Sequence, residues 1–240
     1  MSKGDEILRR LSERFDLREE EYASLASSKS GNPFEVIIAT VISQNTNDKN
    51  TMRVMMGLRE RFGSLNPEKL LEIPIEDLEE ILRPAGLYKQ KAKYLKRISE
   101  ELRGGRLTEI LRESNTEEIR RKLMGIPGIG PKTADVLLSL LGRETIAVDR
   151  HIARVSLRLG IAKDKNYESI RESLMKIFDK NDYFRAHLLL IKLGRTYCRP
   201  RNPKCSDCPL RDICDYSHLL KPGDSDEVHS NTESSLYSSN

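Results

Sequence analysis

No stretch of this chain stays apolar for the roughly 18 residues that a membrane-crossing helix needs. Its opening, MSKGDEILRR, carries no hydrophobic signal region. Those two absences predict an intracellular protein. No segment alternates apolar with polar residues as a half-buried strand does, and no internal repeat is present; almost every periodic segment recurs at helical spacing. Cysteine is absent before Cys198. All four cysteines then fall within CRPRNPKCSDCPLRDIC, and such crowding in an intracellular chain favours metal ligation over disulfides.

What is present is a chain of 240 residues, 38% apolar and 32% charged, long enough for one large domain or two modest ones. The net charge is +4 but uneven: the last twenty residues hold Lys221 against Asp224, Asp226, Glu227 and Glu233, so the rest carries about +7. That excess is a mild pointer to a polyanionic partner. Asn32-Pro33 caps a helix through FEVIIATVIS, and Asn66-Pro67 starts another. Leu87 to Leu102 reads as a basic helix, Ile119 and Leu123 mark an apolar edge, and TADVLLSLL is apolar nearly all round, as a buried helix is. Further helices are predicted over 149–159, 166–178 and 182–195. The fold class is all-α. The polar segment 23–32 reads as a linker, and the serine-rich end cannot repay the entropy of ordering.

The densest local signal is LMGIPGIGPKTADVLL at 123–138. Gly125, Gly128 and Gly130 permit positive φ and leave space for another backbone. Pro131 suits the first position of a helix, where its missing N–H costs nothing. The expected result is a tight hairpin between two helices with N–H groups open at a helix N-terminus, a place that attracts phosphate. A Walker loop is excluded, because Pro131 stands where glycine must precede Lys-Thr and no strand leads in. The dinucleotide fingerprint fails for want of a strand and of the right glycine spacing. An ordinary helix–helix turn remains the plain alternative.

Cys198, Cys205, Cys208 and Cys214 are spaced C-x6-C-x2-C-x5-C. Four thiolates suit tetrahedral zinc or a 4Fe–4S cluster, and spacing alone leaves both open.

Followed by IAVDRHIARV and the four cysteines, LMGIPGIGPKTADVLL resembles the endonuclease III family of DNA glycosylases, in the helix-hairpin-helix superfamily. VISQNT and AGLYKQKA fall where that family has its corresponding motifs, so the resemblance runs from about residue 30 to 215. It implies two helical lobes: a six-helix lobe over 27–143 with the hairpin at about 117–142, and a lobe combining 1–26 with 144–215. Residues 216–240 are left as a disordered tail. It favours a 4Fe–4S cluster on Cys198, Cys205, Cys208 and Cys214. The implied partner is double-stranded DNA with damaged bases or abasic sites, met by a monomer, in the cytoplasm at the nucleoid if the source is prokaryotic.

The implied activity is that of a bifunctional base-excision-repair glycosylase and abasic-site lyase acting on oxidised or damaged pyrimidines. Lys132 would be the nucleophile and Asp149 the catalytic carboxylate, with DNA lying between them. Breaking an N-glycosidic bond develops positive charge on the deoxyribose, which a carboxylate stabilises. A neutral amine can attack C1′ and leave a Schiff base, whose acidified C2′ proton permits β-elimination. Free lysine titrates at about 10.4, so burial at the positive end of a helix is the environment such a nucleophile needs. The plain alternatives are a solvated lysine near a helix start and an aspartate that merely N-caps the helix from Arg150.

The extruded base leaves a hole. The resemblance makes Leu87 the apolar wedge and Gln44 the residue that meets the orphaned partner base, with His151 and Lys204 as further DNA contacts. Leu87 could equally be an ordinary exposed leucine, the lysines of YKQKAKYLKR a solvated face, and His151 a packed residue. The rival activities are a mismatch glycosylase removing thymine or uracil opposite guanine, against which Lys132 argues, and a non-catalytic DNA-binding hairpin module, against which Lys132 and Asp149 together argue. An adenine-mismatch enzyme fits poorly, with 26 residues after Cys214. Two departures bear on substrate: Asn47 stands where the family often has aspartate, and the loop before Asp149 is one residue short.

Overall fold

A computed structural model describes residues 2–17 and 31–219. Most of the 23–32 segment read as a linker, and the tail beyond 219, lie outside the described residues. The described residues form thirteen α-helices and no strand. They divide into two compact units, one of Met1–Leu17 with Val148–Asn240 and one of Arg18–Ala147. Helix α1 (Lys3–Arg14) belongs to the first. The second holds α2 (Pro33–Ile42), α3 (Asp48–Phe62), α4 (Pro67–Glu72), α5 (Ile75–Leu82), α6 (Tyr88–Leu102), α7 (Arg106–Leu111), α8 (Thr116–Met124) and α9 (Pro131–Leu140). The first unit resumes with α10 (Arg150–Arg158), α11 (Tyr167–Ile177), α12 (Tyr183–Thr196) and α13 (Asp215–Leu219).

Helix starts follow local chemistry. The Asn32 side chain accepts from the Phe34 N–H at 3.0 Å, with Pro33 at the first helical position of α2. Asn66 does the same for Lys69 at 2.7 Å before Pro67, and Asn115 for Glu118 at 3.0 Å at the start of α8. Each such cap satisfies an N–H that the helix itself leaves unpaired, for about 1 kcal/mol.

In the 18–147 unit, α2 is buried from Phe34 through Ile42 and packs on α9, buried from Thr133 through Ser139. Leu58, Leu70, Leu78, Leu95, Ile119 and Leu123 close the core around them. One polar network crosses it. Asp135, fully buried, accepts from the Arg120 Nε at 2.9 Å and from the Thr145 hydroxyl at 2.7 Å. Arg120 lies on α8 and Asp135 on α9, so the ion pair clamps the two arms of the hairpin together. Removing either partner would strand a buried charge, a loss of about 3–5 kcal/mol.

In the other unit α10 packs on α12, and α1 on α12. Gly4 of α1 meets the Ile177 carbonyl so closely that an added Cβ would sit 1.9 Å from its oxygen. Residues 216–219, expected in the tail, are instead helical in α13. The Arg158 guanidinium lies 4.6 Å from the centre of the Tyr216 ring, which ties this short helix down.

Candidate active site and cysteine pocket

Helix α8 ends at Gly125 and α9 begins after Gly130, so 125–130 is a tight hairpin turn. Only Gly128 adopts positive φ, at 101°. Gly125 is right-handed (φ −69°) and Gly130 extended (φ −87°, ψ 175°), so of the three glycines that permit positive φ only Gly128 uses it. Gly128 is needed twice over, since an added Cβ would also come within 3.1 Å of Ile98 on α6. Around Gly130 a Cβ would meet nothing within 4 Å, so this glycine leaves an open approach to the helix start. Lys132 is the second residue of α9, at the positive end of the helix, half-buried, and among the described residues it forms no ion pair.

Leu87 heads α6 in the left-handed region (φ 48°, ψ 31°) with its side chain 55% exposed. A leucine held there bears strain of order 1–2 kcal/mol while presenting apolar surface to solvent. Gln44 is exposed in the turn after α2, next to Asn45, which is also left-handed (φ 55°). The basic helix is less basic outwardly than its sequence suggests. Lys91 is buried and donates to the Ile42 and Ala85 carbonyls, both at 2.8 Å. Lys96 donates to the carbonyls of Leu70 and Leu71, both at 2.8 Å, and of Ile73. Burial lowers both ammonium groups from their ordinary pKa. Lys89, Lys93 and Arg97 remain exposed.

Asp149 is the N-cap of α10: one carboxylate oxygen accepts from the N–H groups of His151 and Ile152, both at 2.8 Å. The residue before it is fixed by the Val148 N–H donating to the Tyr167 hydroxyl at 3.2 Å. His151 packs against α12, where an added Cβ on Gly194 would lie 2.8 Å from its own Cβ. The Arg154 guanidinium meets its Nδ1 at 3.1 Å. Burial first, then Arg154, Arg195 and Arg150, pull the imidazole below its ordinary value against the attraction of Asp149. His151 is thus packed between Gly194 and Arg154.

Cys198, Cys205, Cys208 and Cys214 line one pocket, with Arg158, Arg211 and Tyr216 in its wall. Burial pushes the Cys208 thiol up to about 11 and raises that of Cys214. Such thiols stay protonated until a metal centre displaces their protons. Four thiols lining one pocket are the donor set that a 4Fe–4S cluster takes. Arg158 donates to the Cys198 sulfur at 3.5 Å and to the Arg199 carbonyl at 2.7 Å, while Arg154 donates to the Cys198 carbonyl at 2.8 Å. The loop is also gripped by α1, where Arg10 reaches the Pro209 carbonyl at 3.2 Å and pairs with Asp212. Lys204 is exposed on that loop, its N–H donating to the Tyr197 carbonyl at 2.9 Å.

Sequence reasoning missed Lys91, Arg154 and Arg158. Lys91 had a signal: with Leu95, Ile98 and Leu102 it falls on the inward stripe of α6. The two arginines had none, because their partners lie some forty residues away.

Residues 38–180 match the model of the HhH-GPD superfamily of base excision DNA repair proteins, and residues 198–214 that of the iron–sulfur binding domain of endonuclease III. The chain is 33% identical to endonuclease III of Sulfolobus acidocaldarius over 219 residues, covering 90% of this chain and 97% of that one. It is 34% identical to endonuclease III of Thermotoga maritima over 85% of this chain and 92% of that one. A non-covalent endonuclease III–DNA complex superposes with a TM-score of 0.73 at 31% identity, covering 91% and 98% of the two chains. A thermostable thymine-DNA glycosylase shares the fold at 18% identity, with a TM-score of 0.71 and coverage of 90% and 95%. The hairpin with its lysine, the capped aspartate and the four-cysteine pocket thus sit in a chain that belongs to the endonuclease III family of base-excision-repair DNA glycosylases and abasic-site lyases, with a 4Fe–4S cluster as its cofactor.

Proposed function

We propose that the chain removes oxidised or ring-damaged pyrimidines from double-stranded DNA, with Lys132 as the covalent nucleophile and Asp149 as the carboxylate that balances the sugar cation. The observation that carries this is an amine without an ion-pair partner among the described residues, on the first turn of a hairpin helix whose approach is kept open by Gly130. As the glycosidic bond breaks, its electron pair leaves with the base, which takes up a proton. The neutral Lys132 amine adds to C1′ and loses a proton; the C1′–O4′ bond then breaks, O4′ takes up a proton, and the nitrogen is left as a protonated imine on the opened sugar. Loss of the C2′ proton then expels the 3′ phosphate and nicks the strand. Gly128 and Gly130 place the helix start against a phosphate. Leu87 fills the hole, Gln44 meets the partner base, and Lys204 on the cysteine loop contacts the backbone. The enzyme works inside the cell on genomic DNA, in the cytoplasm at the nucleoid if the source is prokaryotic. Among the described residues no helix is long and apolar enough to cross a membrane.

Cys198, Cys205, Cys208 and Cys214 would hold the cluster, which would brace the loop that bears Lys204. Cys205→Ser should lose iron and acid-labile sulfide and most soluble protein, because few apolar side chains other than Leu210 anchor residues 198–214. Elemental analysis of anaerobically purified wild type checks this; zinc without iron would overturn it.

Substrate class is tested with a panel of duplexes, each carrying one lesion. Ring-saturated and oxidised pyrimidines should turn over at least tenfold faster than thymine or uracil opposite guanine, a gap of roughly 1.4 kcal/mol in the barrier. Faster release of mismatched thymine would hand the site to the mismatch activity.

A further inference from the structure

We infer that Lys91 is a positioning residue that locks the Gln44 turn to the Leu87 turn, so that the two side chains enter the duplex as a single rigid element. This rests on the reading of Leu87 and Gln44 as inserting side chains. Lys91 is 4% exposed, and its ammonium ties together two carbonyls, Ile42 and Ala85, at 2.8 Å each. Ile42 is the last residue of α2, two before Gln44; Ala85 ends the 3-10 turn Arg83–Ala85, two before Leu87. Among the described residues Lys91 has no carboxylate partner. Its charge is met by carbonyl dipoles alone, including the negative end of α2.

The backbone on both sides of this clasp is strained. Among the described residues three non-glycine residues have positive φ, Asn45, Leu87 and Asn202, and the first two follow the carbonyls that Lys91 holds by three and two residues. Strained residues persist only where their surroundings over-determine them, and a buried cation bridging both turns is such a constraint. An apolar side chain of equal length would fill the space but would leave both carbonyls unpaired and the turns free to drift apart. A displacement near 1 Å costs of order a hundredfold in rate.

Lys96 provides the control, for it lies on the same helix and also serves backbone carbonyls, those of 70, 71 and 73, away from both turns. Single-turnover base release is measured on two duplexes. One carries 5,6-dihydrothymine opposite adenine, the other the same lesion with the opposing adenine deleted, so that no pair has to be broken. Lys91→Met should slow release from the paired lesion by about a hundredfold and from the unpaired one only a few-fold. Lys96→Met should lower the melting temperature comparably and leave the paired-to-unpaired ratio as in wild type. Lys91→Gln, which keeps a donor, should shift the ratio in the same direction by less, and it serves if the methionine variant does not fold. A ratio that moves no further in the Lys91 variants than in Lys96→Met overturns the clasp. Leu87→Ala separates the two levels. If it alters the ratio and Lys91→Met does not, only the clasp is wrong; if Leu87→Ala leaves the ratio unchanged, the insertion reading fails and the clasp with it.

Discussion

A Lys132→Gln protein should bind damaged duplex much as the wild type does, yet form no covalent adduct under borohydride and nick no strand. Borohydride reduces an imine to a stable secondary amine, so trapping reports the Schiff base directly, and an amide nitrogen cannot form one. The fold has little stake in this side chain. Lys132 is half-buried, makes no ion pair among the described residues, and occupies a position where glutamine is as good a helix former as lysine. The Arg120–Asp135 clamp, which holds the hairpin arms, is untouched. A Lys132→Gln protein that is trapped in full places the amine elsewhere. A wild type that releases bases but is never trapped makes water the nucleophile and leaves Lys132 an electrostatic role.

The companion expectation is that Asp149→Asn slows base release by about 10²–10³-fold while its helix stays intact. Asparagine caps helices as well as aspartate does, and its carbonyl oxygen can keep both bonds to the N–H groups of His151 and Ile152. The charge is all that is lost. Because that charge is needed as the glycosidic bond breaks, nicking of a preformed abasic site should suffer much less than release of a damaged base. Asp149→Ala should add a stability loss of about 1 kcal/mol through the missing cap, visible as a lower melting temperature. Equal base-release rates for wild type and Asp149→Asn would remove the carboxylate from the chemistry.

The helices and the hairpin were legible because their determinants are local. Asn32-Pro33, Asn66-Pro67, Asp149 and Pro131 act within a few residues of themselves, and the cysteine spacing is a property of one loop. The rest depends on partners that sequence distance hides. Nothing local requires Gly130 to be open to solvent while Gly128 is pressed against Ile98. The left-handed backbone of Leu87 is invisible where no glycine announces it. Lys91 and Lys96 read as members of a basic face because charge suggests solvent, whereas each is turned inward onto carbonyl oxygens that belong to other turns. His151 was ambiguous for the same reason: its neighbour Gly194 is on another helix.

The grip of α1 on the cysteine loop sets an order for biosynthesis. Arg10 is made early, but its partners at Pro209 and Asp212 are among the last described residues to leave the ribosome. The 31–147 segment holds its own core and can fold while translation continues. The amphipathic N-terminal helix, with Ile7, Leu8 and Leu11 on its buried side, must meanwhile wait with that side uncovered. Closing the unit is a late, long-range event of the slow kind, in which the N-terminal helix meets the cluster-bearing loop.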